Sequence, residues 1–469
     1  MNKYLLILSA LVVTIFSINS EIRNVPAQYT TIQAAINAAV NGDTVLVAPG
    51  TYFENINFRG KNIVVTGTYY QSGNPQLISS TIINGSTPVY NDTASCVIIA
   101  NHEDSTTVLQ GFTLTGGKGT LWDDEHAPGN RFREGGGLLI QYSSPTVQNN
   151  IIRNNEAINT AGGVGAGGGG IRMGDSNPKV LNNIIMQNQG RYGPGVVLNY
   201  SGGTFKNNII CLNTGGQNYG GGGAFWILSN SPAGPRIIEN NTIVNNTTTS
   251  GCGGLTIQSS TVNLRNNIIR GNTSTNANQI EYSGTVTVTY CNIQGGFLGV
   301  GNINTDPMFA DSNYILQNTS PCIDKGDSSI QYNDIADPNN GTLAKYPSRG
   351  GLRNDIGAYG GQLVKLLTNQ LIAVNNIGTE IPGSFSLYQN YPNPFNPATQ
   401  IIFDLPESGL TKLAVYDILG REVNVLLNGF KPSGKYTVSF DASGLSSGIY
   451  FYTLQSGKVK MTRKMILSK

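Results

Sequence analysis

The chain has 469 residues, room for roughly two or three domains. Charged residues make up only 12% of it, and 29 Lys+Arg against 27 Asp+Glu leave a net charge of +2, so there is no basic excess for binding nucleic acid. Glycine is abundant at 59 with no Gly-X-Y period, which excludes collagen, and 39% hydrophobic residues are too many for a disordered chain.

The first residues have the pattern of a secretory signal. Lys3 is followed by the apolar run from Tyr4 to Phe16 and by small polar residues up to Ser20. Residues 1–20 are expected to be removed. No later stretch approaches the ~20 apolar residues of a membrane span, so the mature chain is expected to have no transmembrane segment. Residues 30–40 carry a helical period through Ile32, Ala35, Ile36, Ala39 and Val40, with Thr30 and Gln33 placed for a capping box. A helix there would cover the open end of a strand array.

Strands of early, irregular coils follow at 63–65, 81–83, 97–99 and 111–114. The period breaks between 118 and 134, a polar stretch expected to project as a loop. Beyond it the sequence repeats. Asn-Asn or its variant recurs before an apolar pair, with the second asparagine at Asn150, Asn183, Asn208, Asn241, Asn267 and Asn292. The steps are 33, 25, 33, 26 and 25 residues, a base period of about 25 with two insertions. Glycine clusters precede one short strand of each unit, and a further strand is centred on Val147, Val180, Phe205, Ile238 and Leu264. Three short strands cannot bury their own apolar faces, but units stacked ~4.8 Å apart can, with asparagine aligned on asparagine along the axis. Residues 21–296 are therefore expected to form an all-β parallel solenoid with an N-terminal helical cap. The pattern resembles the right-handed parallel β-helix, or pectin-lyase-like, family.

After residue 296 the repeat fades, and 297–360 is expected to cap the helix, with 361–382 a linker. Residues 383–469 contain Tyr391-Pro392-Asn393-Pro394-Phe395-Asn396-Pro397, alternating strands, Val415-Tyr416-Asp417-Ile418-Leu419-Gly420-Arg421 and a basic end. This segment resembles the C-terminal sorting domain of the type IX secretion system, a small β-sandwich. The resemblance implies type IX machinery as partner and a secreted or outer-membrane surface-attached protein. The five cysteines lack any Cys-x-x-Cys and are expected to be buried thiols.

Counting alternation from the glycine clusters puts Leu139, Arg172, Val197, Phe225, Thr256 and Glu281 in one outward column, with Asn199 and Gln258 in the next. Residues one coil apart make a flat strip suited to an extended polysaccharide. Trp122, Phe225, Asn199 and Gln258 are the candidate contacts, with Arg133 and Arg172 as guanidinium groups for a uronate carboxylate. Loop 118–134 gathers Asp123, Asp124, Glu125 and Glu134. Asp123, Asp124 and Glu125 are candidate calcium ligands, and Asp124, Glu134 and Arg172 are candidate catalytic groups. The resemblance implies a uronate lyase, with an Arg or Lys base (Arg131, Arg133 or Arg172) and calcium, or a glycoside hydrolase. The Gly-His-Gly and Arg-Ile-Lys motifs of the fold's polygalacturonases are absent. Polysaccharide binding is the expected function. Lyase or hydrolase activity, and a rigid stalk or adhesin without activity, are the alternatives. The last two differ in whether loop 118–134 closes over the strip.

Overall fold

The computed structural model describes residues 20–124, 126, 128–158, 166–215, 221–231, 233–275, 278–311, 313–367, 374–376, 382–407, 409–431, 434–442 and 445–468. The expected signal at 1–20 therefore lies outside the described residues, apart from its last position.

Helix Ile32–Ala38 closes the N-terminal end of the solenoid. Its N-cap is Thr31, not Thr30, with Ala34 N donating to Thr31 Oγ1 at 3.1 Å. Gln33 does not complete a capping box. The next free amides, of Ile32 and Gln33, are taken by the Glu54 carboxylate at 2.9 Å each.

Each coil then contributes three main strands, and four coils add a fourth strand of two residues (Glu156–Ala157, Gln189–Gly190, Thr214–Gly215 and Thr247–Thr248); each pairs in parallel with its counterpart in the next coil. Leu138–Gln141 pairs with Ile171–Gly174, then Val196–Asn199, Phe225–Leu228 and Leu255–Arg265. The second strands run in the same order from Thr146–Gln148. So do the third strands from Ile151–Arg153. Their inward residues form one continuous apolar core that includes Leu138, Met173, Phe205, Phe225 and Ile269.

The paired asparagines divide the work at each turn. The first, at 149, 182, 207, 240 and 266, has φ between 51° and 57°. Asparagine tolerates this left-handed conformation better than most residues. The second is buried and makes the ladder. Asn208 Nδ2 donates to Asn241 Oδ1 at 2.9 Å and to Val180 O at 2.9 Å. Its Oδ1 accepts from Asn183 N (2.9 Å) and Nδ2 (3.1 Å). All four hydrogen-bonding positions of the amide are thereby filled. The ladder ends on Cys291, not Asn292: Asn267 N lies 3.3 Å from Cys291 Sγ. Asn292 is instead paired with Ile268 in the neighbouring strand. A second ladder five residues on links Asn155, Asn188, Asn213, Asn246, Asn272 and Gln279.

Gly168 has φ +64°, and a Cβ there would lie 2.6 Å from Ile171 O, so the chain entering this strand requires glycine. All five cysteines are buried free thiols, and burial pushes Cys96, Cys211 and Cys291 up to about 12.

Residues 297–367 do more than close the far end. They run back along the left-handed asparagines. Asn207 Nδ2 donates to Ala358 O and Gly360 O, and Asn240 Nδ2 donates to Asp355 O. Tyr314, Ile356, Tyr359 and Leu367 pack on the outward isoleucines of the third strands. Val374–Asn376, within the expected linker, pairs antiparallel with Gly434–Asp441 of the C-terminal sandwich. That sandwich comprises two four-stranded sheets around Phe403, Leu413, Val438 and Tyr452.

The cap holds buried carboxylates. Asp334 accepts from Gly361 N and Asp355 N, and Asp355 accepts from Asp324 N and Arg349 N. Burial, reinforced by the Asp355 carboxylate, pushes Asp334 up to about 9, and burial pushes Asp355 up to about 7. A carboxyl with a raised folded pKa binds its proton more tightly in the fold than in the unfolded chain. Its stabilising effect is full below about pH 4 and is lost as pH rises through the folded values. The melting temperature is expected to fall from pH 5 to pH 9 more steeply in the wild type than in Asp334→Asn, as read by circular dichroism melts at each pH.

Candidate functional site

Residues 119–134 form a hairpin that folds back on the solenoid and does not project from it. Gly119–Asp123 pairs antiparallel with Arg131–Glu134, and Arg131–Glu134 also pairs with Ala166–Gly167. Three sets of contacts hold it down. At its base Glu134 Oε2 lies 2.6 Å from Arg172 Nε, and the Tyr192 hydroxyl donates to Glu134 Oε1 at 2.6 Å. Along its side Arg133 Nη1 donates to Asn91 O (2.7 Å) and Gly119 O (2.9 Å). At its tip the His126 ring stacks on Tyr200, centroids 3.5 Å apart, and His126 Nε2 lies 2.9 Å from Asp175 Oδ1. Asn199 Nδ2 reaches Asp124 Oδ2 at 3.4 Å.

The hairpin roofs the upper part of the strip. Arg172 is fully buried beneath it, Leu139 and Val197 are also fully buried, and the strip opens at Trp226, Leu228 and Gln258. Two strip positions differ from expectation. Val197 pairs with Trp226, not Phe225, and Asn199 pairs with Leu228. Phe225 is fully buried in the core, edge-on to Phe205 at 5.2 Å, so it is not an outward contact. Ala224 stands where the other coils have the last glycine of the cluster. Counting from Gly223 therefore slips the strand by one residue, and a one-residue slip reverses every face.

The remaining candidates are placed as follows. Asp124, Glu134 and Arg172 come together around Tyr192, whose hydroxyl is held well above its usual range by burial and by the Glu134 and Asp124 charges. Arg172 and Glu134 are buried beneath the roof, so neither faces solvent as an acid or base. Asp123 pairs with Arg131 at the surface (2.9 Å), and Trp122 meets the Tyr142 ring edge-on at 6.4 Å. Glu125 lies outside the described residues. Among the described residues, which leave out Glu125, no group of three or more His, Cys, Asp or Glu is placed to hold a metal ion. Sequence reasoning missed His126 with Asp175, Tyr192 and Trp226. The signal for Trp226 was available in the aligned glycine clusters, whereas the others depend on the hairpin's fold-back.

Four buried polar atoms on adjacent coils of this face have no hydrogen-bond partner among the described residues. These are Arg172 Nη2, Asn199 Oδ1, Trp226 Nε1 and Thr256 Oγ1. Arg172 Nε also lacks a directed hydrogen bond, although its charge contact with Glu134 is close. Each such group costs roughly 1–3 kcal/mol unless water or a ligand meets it.

Residues 45–232 match the right handed beta helix region family, and the parallel coils agree with it. Residues 389–468 match the secretion system C-terminal sorting domain. The protein is a right-handed parallel β-helix protein. It ends in a type IX sorting domain and is thereby exported to the cell surface or the medium. No curated protein and no solved structure matches the chain. Among the described residues no helix is long and apolar enough to cross a membrane.

Proposed function

We propose that the protein binds an extended polysaccharide in the slot between the hairpin and the lower coils, after export through the type IX machinery. The observation that carries this is the set of unpartnered polar atoms on Asn199, Trp226 and Thr256, at the edge of the hairpin's cover. Trp226 and Thr256 stand one strand spacing apart, ~4.8 Å, which is close to the scale of a sugar unit, with Asn199 in the next column, and together they mix donors and acceptors as a chain of hydroxyls does. Trp226, half-buried against Tyr192 at 4.9 Å, adds an aromatic face beside them.

Trp226→Ala is expected to weaken glycan binding about tenfold, or about 1.4 kcal/mol, in affinity electrophoresis or calorimetry. Unchanged retention across a panel of polysaccharides would refute the slot. Turnover is the second reading, favoured by the His126–Asp175 pair at the slot's mouth. Release of new reducing ends from retained glycans separates it from binding alone.

A further inference from the structure

We infer that the polysaccharide taken by this slot is a neutral one and not a polyuronate. This deepens the proposed function and rests on it. A uronate chain brings one carboxylate per residue and needs a cation to receive it. Each arginine near the slot is already engaged. Arg172 is neutralised by Glu134 at 2.6 Å, Arg131 by Asp123 at 2.9 Å, and Arg133 is committed to two backbone carbonyls with Asp92 at 3.6 Å. Arg191, next to Tyr192, also has a partner.

The groups that face the opening are carboxylates. Asp124 lies against Asn199, and Asp175 lies against His126 and Gln141, with Gln141 Nε2 donating to its Oδ2 at 3.1 Å. Glu281 occupies the strip position below Thr256 and is exposed. With Glu134 neutralising Arg172, the opening presents the carboxylates of Asp124, Asp175 and Glu281. A polyanion entering here meets like charge in a partly desolvated slot, where screening is weaker than in bulk water. A neutral chain meets the unpartnered donors and acceptors without that repulsion. Glu134 is thereby a specificity-determining residue: it removes the one positive charge that the floor of the strip would otherwise offer.

The test is a retention panel on the full mature chain at low and high salt, with xylan, β-1,3-glucan and galactomannan against polygalacturonate and alginate. The wild type is expected to retain at least one neutral polymer at least tenfold better than either polyuronate, with the gap narrowing as salt rises. Asp124→Asn/Asp175→Asn is expected to narrow the gap at low salt by at least threefold through stronger polyuronate binding. Asp124→Asn alone, which leaves the His126–Asp175 contact intact, is expected to move it in the same direction. Polyuronate binding equal to or tighter than neutral binding in the wild type would overturn this inference and leave glycan binding standing. An unchanged ratio in both variants would also overturn it. Retention of no glycan of either class would overturn the proposed function itself.

Discussion

Asn208→Ala is expected to destabilise the solenoid by about 3–5 kcal/mol, whereas Asn154→Gly is expected to cost less than about 0.5 kcal/mol. Both are asparagines at coil turns. Asn208 is fully buried and fills all four hydrogen-bonding positions of its amide. Removing it leaves Asn183 N without its acceptor and Val180 O without its donor, while Asn183 Nδ2 loses one partner and keeps Val147 O and Leu181 O. Orphaned buried groups cost roughly 1–3 kcal/mol each, and those on one amide are not independent, so the sum is discounted. Asn154 is exposed with φ 54°, a conformation glycine adopts without strain. A stacked solenoid is held by contacts between neighbouring coils, so the damage should also divide the transition. Urea unfolding should show a lowered midpoint and a shallower slope for Asn208→Ala. A shift below 1 kcal/mol would mean that the ladder is decoration on a core that suffices by itself.

The repeat made the coils legible because its causes are local. A left-handed asparagine followed by a ladder asparagine and two apolar residues recurs as text before it recurs in space. The second ladder was equally visible in Asn155, Asn188, Asn213, Asn246 and Asn272, five residues after each member of the first. Two errors came from counting where the repeat drifts. Ala224 replaces a glycine and turns Phe225 inward, and Cys291 takes the ladder position that Asn292 was expected to hold. The hairpin was not legible because its cause is not local. Its charged composition looks like a solvated loop until Glu134 is known to meet Arg172 and Tyr192, 38 and 58 residues away in sequence. The same holds for the cap, whose path along Asn207 and Asn240 is fixed by contacts more than 100 residues apart.

Glu134→Leu is expected to cost about 3–5 kcal/mol and to release the hairpin, while Glu134→Leu/Arg172→Met is expected to recover most of that loss. The pair is almost completely buried, with side-chain exposures of 0% for Arg172 and 5% for Glu134. Bringing two charges out of water costs several kcal/mol each, and their attraction at 2.6 Å offsets that only while both are present. Leucine at 134 leaves the Arg172 guanidinium with Gln141 Oε1 as its remaining partner and deprives the Tyr192 hydroxyl of its acceptor. The double variant removes the unpaired charge and fills the space with apolar side chains, an exchange often neutral or stabilising. Thermal melts of the two single variants and the double variant give the coupling, and limited proteolysis within 119–134 reports whether the hairpin has lifted. If the single variant melts within 1 kcal/mol of the wild type and the hairpin stays protected, the Asp175 and Tyr200 contacts of His126 hold the roof without its base. Glu134 would then matter to the charge of the slot alone.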